Sequence, residues 1–377
     1  MKRFFSYILA IILAWSCVYP LDIKTEEYSD ETLVIDGSIV IGGQSTVSIS
    51  KLMSIGTGYY YGPTEYVKDA TVTVECDNST VYKTEPAASM SSMYRYNYVI
   101  NTAGAPGDRS YRLVVVRGGK TYASSWIKPL PAPKITDVQF TADDENVVVS
   151  LDADARGGGG FAAVQFDEIW KFHAQYVRIF ELKPLEWTIS TILEPDLTYY
   201  ECWRKRVGTQ EKLIDYSYQD GIITAFPFTI FSRTNERNQY EYNILVKIRN
   251  LPEQEYRYMK QLNDANNISL FSPEPGNTET NIVCESDASE KVFGYVSISK
   301  QDYYIAKLDS RYYIAQAPNS LISVEADQEA YMYFYNNGYV PVNVMNSGGI
   351  GWGTERCYNC VTDGGTLDKP SFDVPNN

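Results

Sequence analysis

Short segments in which apolar and polar side chains alternate with a period of two constrain the fold of this chain more than any other feature. The segment 70–76 places every second residue, from Val72 to Cys76, on one apolar face, and the segment 94–100 does the same with three tyrosines. Such alternation, interrupted by turns about every ten residues, is typical of half-buried strands. We therefore expect a mainly β chain in which residues 32–128 form an immunoglobulin-like or transthyretin-like β-sandwich.

The proline-rich segment 129–134 marks the expected domain boundary, because closely spaced prolines favour a stiff, extended backbone. We expect a second β-rich domain over residues 135–347 and a cysteine-containing loop tail over residues 348–377. The four glycines at 157–160 lack the lysine and the hydroxyl residue of a phosphate-binding loop, and they predict a flexible hairpin tip.

Two further segments of the second domain have patterns of their own. Residues 252–265 begin with a proline and two acids and then repeat apolar side chains at helical spacing, which predicts one short amphipathic helix. Residues 330–335 and 339–344 are β-rich and flank Asn337-Gly338, so they predict a β-hairpin.

The N-terminus has the composition of a secretion signal. Lys2 and Arg3 precede an apolar run from Phe4 to Ala14, which has signal-peptide length and is too short to span a bilayer. The run stops at Ser16-Cys17, and a small residue followed by cysteine at this point resembles the lipobox of bacterial lipoproteins.

The lipobox resemblance implies a signal peptide over residues 1–16 and fatty acylation, such as palmitoylation, of Cys17. Residues 17–31 are then a polar, acidic tether between the lipid and the first domain. The alternative is an ordinary secretion signal in which Cys17 is incidental. The sequence leaves open whether the protein faces the periplasm or the cell surface.

The chain is acidic, with a formal net charge of −14. A surface of this sign repels phosphate backbones, so we expect no nucleic-acid partner. The acidity is also what a soluble exported domain requires.

Six cysteines remain to be assigned, of which Cys17 is the expected lipid site. Cys76 continues an apolar strand face and predicts a buried thiol. Cys357-x-x-Cys360 favours a structural disulfide in the tail over a redox pair or a zinc knuckle. The partners stay open, because Cys357 and Cys360 could pair with each other or with Cys202 or Cys284.

Groups that could support catalysis are sparse. His173 is the single histidine of the chain, and neither a Gly-x-Ser-x-Gly elbow nor a His-Glu-x-x-His motif occurs. We therefore expect a protein that is not an enzyme and that uses no cofactor and no metal. Tyr59, Tyr60 and Tyr61 form either an exposed contact loop for a ligand or partner or a buried strand end.

Several local patterns follow one another in a recognisable order along the chain. In the first domain these are Lys68–Val72 and Ser110–Leu113. In the second they are Cys202-Trp203, Tyr240–Arg249, Leu251-Pro252 with Tyr256 and Tyr258, Phe293–Ser299, Cys357-x-x-Cys360, Gly364-Gly365-Thr366 and Lys369-Pro370. Their order resembles a family of Bacteroidota lipoproteins, domain-of-unknown-function family 4249. The chain departs from the family pattern at Thr280-Asn281-Ile282 and at Phe372-Asp373.

The resemblance implies an outer-membrane lipoprotein, bound to the membrane by its lipid, that acts as a non-catalytic accessory or ligand-binding module of a TonB-dependent transport system. Such proteins are typically encoded next to TonB-dependent outer-membrane receptors, which are the expected partners. Two alternatives stay open: a structural or adhesive cell-surface lipoprotein, and a hydrolase that uses a pair of carboxylates.

Overall fold

The computed structural model describes residues 31–52, 65–86, 98–266, 280–315 and 320–374. Within these ranges the chain is mainly β and contains two α-helices, so the predicted fold class is confirmed. The strands enclose two large apolar cores and one small core.

The first core lies inside a ten-stranded, nearly closed sheet that we call the N-terminal body. The strands, numbered along the chain, are β1 (Leu33–Val40), β2 (Gln44–Lys51), β3 (Thr71–Cys76), β4 (Val81–Pro86), β5 (Tyr98–Asn101), β6 (Tyr111–Arg117), β7 (Lys120–Ser124), β17 (Ile282–Cys284), β18 (Val292–Phe293) and β19 (Val296–Ser299). Strand β4 pairs with β3 on one side and with β5 on the other, and so joins the two layers that a sandwich would keep apart.

The last three of these strands were expected in the second domain, and the structure corrects that boundary. β17 pairs with β7, whereas β18 and β19 pair with β1 in parallel. Gly294 separates β18 from β19 with a φ of +98°, and a Cβ there would overlap the Ile35 carbonyl oxygen. Alternation identified 292–299 as a strand but carries no information on which strand it pairs with.

The second core lies between two antiparallel sheets that we call the central body. Its buried residues include Trp170, Phe172 and Tyr242. The larger sheet has the order β13-β10-β16-β20, with β14 also beside β10, and the smaller has the order β15-β9-β8. The strands are β8 (Lys134–Ala142), β9 (Asn146–Asp154), β10 (Phe161–His173), β13 (Glu201–Arg206), β14 (Lys212–Asp215), β15 (Ile222–Ser232), β16 (Glu241–Asn250) and β20 (Gln301–Asp309).

The glycine run at 157–160 joins two different sheets of the central body. β9, which precedes it, belongs to the smaller sheet, and β10, which follows it, belongs to the larger sheet. The prediction of a hairpin tip is therefore wrong, because a glycine-rich turn does not determine whether the strands on either side pair with each other.

Helix α1 (Glu253–Asn266) lies between the two bodies and confirms the predicted helix. Its Tyr256 ring stacks on Phe161 of the central body, with ring centroids 4.3 Å apart. Its Tyr258 ring stacks on Tyr295, which lies between β18 and β19, with ring centroids 4.9 Å apart. Alternate residues of one helix thus contact both bodies.

A small C-terminal lobe contains the remaining strands and the second helix. The hairpin β11 (Phe180–Lys183) and β12 (Thr188–Thr191) lies next to a sheet of order β21-β23-β22. The other elements are β21 (Ile322–Ser323), α2 (Gln328–Asn336), β22 (Val340–Val344) and β23 (Ile350–Gly353); three short 3₁₀ helices occur at Glu236–Asn238, Ser310–Tyr312 and Glu355–Cys357.

α2 occupies the first half of the segment for which the sequence predicts a hairpin, and that prediction is wrong. Asp327 caps the helix by accepting a hydrogen bond from Ala330 N at 2.9 Å. At the other end, Gly338 N donates to Tyr335 O and Tyr339 N donates to Phe334 O, each at 3.0 Å. These bonds form a Schellman motif, in which Asn-Gly ends a helix instead of reversing a hairpin.

The tail beyond residue 348 is ordered against the central body and is not a loop alone, since it contains β23. Trp203 and Thr366 exchange two backbone hydrogen bonds of 2.7 and 2.8 Å. Lys369 Nζ lies 4.9 Å from the centre of the Trp203 ring and 2.7 Å from Glu241 Oε1. The tail therefore forms a strap across the edge of the larger sheet.

Candidate binding surface

Two of the predicted sites fall outside the described residues. These are the lipidation site Cys17 and the tyrosines Tyr59, Tyr60 and Tyr61. Both stay predictions.

A disulfide joins Cys202 on β13 to Cys360 in the tail, with the two Cα atoms 5.8 Å apart. Cys357 and Cys284 are not disulfide-bonded and are buried, so the pairing of Cys360 with either is excluded. Cys76 is a buried free thiol, as its strand position predicts. The bond is a structural connection between the strap and the core of the central body.

His173 is packed among aromatic rings at the end of β10. Its ring stacks on Tyr200 and meets Tyr240 edge-on, with ring centroids 5.2 and 5.8 Å away. Its Nδ1 donates a hydrogen bond to the carbonyl oxygen of Ala174 at 2.7 Å. Burial raises the pKa of the neighbouring Tyr240 hydroxyl to about 12, and the charge of Glu201 adds to this effect. The cluster is therefore a packed, hydrogen-bonded rim of the sheet.

Three carboxylates are buried in the part of the chain that the structure describes, and each has a cationic partner. Asp167 lies 2.7 Å from Lys247 Nζ. Glu168 lies between Arg206 and Arg237, at 2.5 and 2.8 Å. Glu255 on α1 pairs with Arg249 on β16 at 2.5 Å. Each of these carboxylates is therefore engaged by at least one ion pair inside the protein.

A shallow depression of about 260 Å³ lies beside the glycine run. Backbone atoms of Gly157–Gly160 and the side chains of Arg156 and Ser217 line it. The Arg156 guanidinium is already paired with Asp154, and Ser217 Oγ donates to Asp215 at 2.6 Å.

Among the described residues, no three histidine, cysteine or carboxylate side chains are arranged to bind a metal ion.

Four large apolar side chains of the C-terminal lobe are exposed, namely Leu185 in the β11–β12 turn and Met332, Tyr333 and Tyr335 on α2. We call these four, together with the half-buried Trp187 beside Tyr335, the aromatic face. The rings of Trp187 and Tyr335 meet edge-on with centroids 6.2 Å apart, which connects the β11–β12 turn to α2. Leu185 is 99% exposed and Tyr333 is 64% exposed. Grouped apolar exposure of this kind marks interaction surfaces in soluble proteins.

α2 is rich in aromatic residues, yet none of its residues is buried. Tyr331 and Phe334 lie against Trp352, with ring centroids 5.1 and 6.4 Å away. Met332 and Tyr333 lie on other sides of the helix and are largely exposed. A helix with apolar side chains on all sides is normally buried, so α2 has contact area left for a partner.

Hydrogen bonds hold the lobe to the chain segment that follows β10. Ile179 N donates to Val342 O at 2.8 Å, and Asn343 Nδ2 donates to Val177 O at 2.9 Å. Tyr176 N donates to the carbonyl oxygen of Cys357, three residues before the disulfide, at 3.0 Å. The aromatic face is therefore carried on a rigid support.

Trp187 has a left-handed backbone, with a φ of +52°. The N–H groups of Glu186 and Trp187 both donate to the Lys183 carbonyl oxygen, which closes the turn. A bulky residue in this region is strained, at a cost of about 1–3 kcal/mol. The turn thus keeps its tryptophan on the aromatic face against a local conformational preference.

Sequence patterns did not identify the aromatic face. The five consecutive residues from Tyr331 to Tyr335 have high β propensity, which favoured a strand. The signal that would have identified the helix is Asp327 followed by Gln328, Glu329 and Ala330, an N-cap with helix-forming residues behind it.

The family of the chain follows from its match to a family model. The model described as a domain of unknown function (DUF4249) matches residues 18–305, well over half of the chain. The chain belongs to this family. No curated protein matches it.

The DUF4249 match covers the N-terminal body, the central body as far as β20, and the β11–β12 hairpin. It ends before α2 and before Cys360, so three of the five residues of the aromatic face and one disulfide cysteine lie beyond it. The motifs from Cys357 to Pro370, which the sequence resemblance included, also lie beyond the matched range. Neither α-helix in the described ranges is long and apolar enough to cross a membrane.

Proposed function

We propose that this DUF4249 protein is a Bacteroidota lipoprotein, anchored in the outer membrane through acylated Cys17, that serves as a non-catalytic accessory or ligand-binding module of a TonB-dependent transport system. The observation that carries the proposal is the apolar run that stops at Ser16-Cys17. A cysteine at this point of a secretion signal is the residue that bacterial lipoproteins acylate, and several acyl chains give stable anchoring.

The C-terminal lobe supports a binding role. Binding proteins commonly present contact residues on loops and short elements held by a rigid scaffold. The aromatic face has this arrangement, because hydrogen bonds hold the lobe to the segment after β10, and the nearby Cys202–Cys360 disulfide joins the tail to the central body. Tryptophan and tyrosine are also side chains that proteins place at contact surfaces, with other proteins and with lipid headgroups alike.

The buried acids support a role without covalent chemistry. A hydrolase of the carboxylate type needs two acids that face a cleft and can donate and accept protons. Asp167, Glu168 and Glu255 are instead engaged by lysine or arginine inside the protein.

The test is purification of the protein from native outer membranes in mild detergent, through a C-terminal tag. We expect a TonB-dependent receptor to co-purify in a constant ratio with the wild-type protein. The Cys17→Ser variant should be absent from the membrane fraction, while Cys357→Ser, which alters a cysteine outside the disulfide, should stay there. Recovery of the membrane-bound protein as a free monomer would count against the transport role.

A further inference from the structure

The side chains of the aromatic face are those that proteins place at membrane surfaces. Trp187, Tyr333 and Tyr335 have amphipathic rings of the kind found at the level of lipid headgroups. Leu185 and Met332 are apolar and exposed beside them. We propose that the aromatic face docks on the surface of a bilayer of zwitterionic phospholipids and holds the protein in one orientation. This inference rests on the proposed lipid anchor, which brings the face to the membrane.

Charge around the face decides which lipid it fits. Residues 320–355 contain four carboxylates and no lysine or arginine. Three of the carboxylates, Glu325, Asp327 and Glu329, lie at the start of α2, and we call them the acidic rim. At the other edge, Lys183 and Glu186 of the β11–β12 turn balance each other. The face therefore repels anionic headgroups.

Zwitterionic headgroups complement this charge. The ammonium groups of phosphatidylethanolamine and phosphatidylcholine are attracted to the carboxylates of the acidic rim. They also interact favourably with the faces of tryptophan and tyrosine rings. A basic protein surface would also pair with the carboxylates of the acidic rim. A headgroup layer, however, can in addition bury the side chain of Leu185, which is almost fully exposed on its turn.

The proposed anchor alone does not orient the protein. Cys17 is sixteen residues from Leu33, the first residue of β1, and a chain of this length spans up to about 50 Å when extended. A span of that length does not by itself fix which side of the protein meets the membrane. A second contact is therefore what defines the orientation, and the aromatic face supplies it.

The contact is testable without the acyl chains. The polypeptide 18–377 is mixed with vesicles of phosphatidylcholine and phosphatidylethanolamine, and the bound fraction is measured by flotation. Each leucine-sized side chain that enters the bilayer surface is worth up to about tenfold in affinity. We expect the triple variant Leu185→Ser/Met332→Ser/Tyr333→Ser to bind at least tenfold more weakly than wild type.

Two controls separate this contact from general stickiness. Ile230→Ser removes an apolar side chain that is 61% exposed, close to the 64% of Tyr333, from β15 on the central body, and it should leave binding unchanged. Replacing a third of the lipid with anionic phosphatidylglycerol should weaken wild-type binding. The Glu325→Gln/Glu329→Gln variant should lose that sensitivity to anionic lipid.

Three results would overturn the inference: flotation of the triple variant equal to wild type, stronger binding to anionic vesicles, or no flotation with any vesicle. If the triple variant floats normally but no longer co-purifies with a receptor, the aromatic face belongs to a protein partner. Detection of acylated Cys17 in the full-length protein isolated from its native membrane would show that the anchor proposal stands even when the docking inference fails.

Discussion

At the scale of single residues, Arg249 connects the two bodies through polar contacts with both of them and with α1. Its guanidinium lies 2.7 Å from Glu211, 2.5 Å from Glu255 on α1 and 2.7 Å from Ser297 Oγ on β19. Only 3% of its side chain is exposed. One buried cation therefore joins the central body, the helix and the N-terminal body, and its loss leaves two carboxylates without a partner.

The Arg249→Met variant should lose about 3–5 kcal/mol of unfolding free energy, because it leaves buried charges uncompensated. Arg257→Met is the matched control, since Arg257 forms an exposed ion pair with Glu253 on α1, the helix that also carries Glu255. That control should change stability by less than about 0.5 kcal/mol. Urea unfolding followed by circular dichroism measures both, and equal effects would show that the Arg249 cluster does not join the bodies.

Glu241 makes the strap sensitive to acid. Burial raises the pKa of its carboxyl, but the hydrogen bonds from Lys369 and Asn243, with the charges of Lys369 and Lys307, outweigh burial and lower it from 4.5 to about 2. A lowered folded-state pKa contributes stability that is present above the unfolded-state value and is lost as pH falls. The contribution of Glu241 is therefore lost between about pH 4.5 and pH 2.

The wild-type protein should be more stable than Glu241→Gln at pH 7, and the difference should shrink to zero as pH falls from about 4.5 to about 2. Urea midpoints measured at a series of pH values test this expectation. A difference that stays constant down to pH 2 would mean that Glu241 is not ionised and held by Lys369 in the folded protein.

At the scale of elements, α2 is the feature that the sequence patterns predicted least well. Its aromatic residues favoured a strand, and Asn337-Gly338 favoured a hairpin turn. The caps decide between the two structures, since Asp327 begins a helix and the Schellman bonds from Gly338 and Tyr339 end it. By contrast, α1 was predictable, because a proline, early acids and helical spacing all indicate the same element.

The Asp327→Ala variant tests whether residues 328–336 are helical. Removal of the N-cap hydrogen bond to Ala330 N should cost about 1 kcal/mol of stability. Glu325→Ala removes an exposed carboxylate two residues earlier and should cost little. Thermal unfolding measures both, and identical melting temperatures for the two variants would favour the hairpin over the helix.

The strap owes its position to the Cys202–Cys360 disulfide, which closes a loop of 158 residues. A cross-link over a loop this long is worth about 3–5 kcal/mol. The Cys202→Ala/Cys360→Ala variant should therefore melt at a lower temperature than wild type and be insensitive to reductant. Cys357→Ala should melt near the wild-type temperature and keep the response to reductant. A wild-type protein whose melting temperature is unchanged by reductant would contradict the bond.

At the scale of the whole molecule, the sequence predicted strands well and their partners poorly. The alternation from Val72 to Cys76 predicted β3, because a half-buried strand needs one apolar face. No local pattern indicated that β19 pairs with β1 or that Cys202 pairs with Cys360, since these contacts join residues more than 150 positions apart. The aromatic face was missed for the same reason, because it combines a turn near residue 185 with a helix near residue 333.

The account of the whole molecule depends on a membrane anchor that places the aromatic face beside a bilayer. In this account the acidic folded region is attached to the membrane by lipid on Cys17, and the aromatic face only orients it. Without that lipid, neither the outer-membrane location nor the transport role has a physical basis.

The most direct test is mass spectrometry of the N-terminal peptide of the protein isolated from its native membrane. We expect a peptide that begins at Cys17 and carries a diacylglyceryl group on sulfur together with an acyl chain on its amino group. A peptide that begins at another residue, or that begins at Cys17 without lipid, would contradict the account.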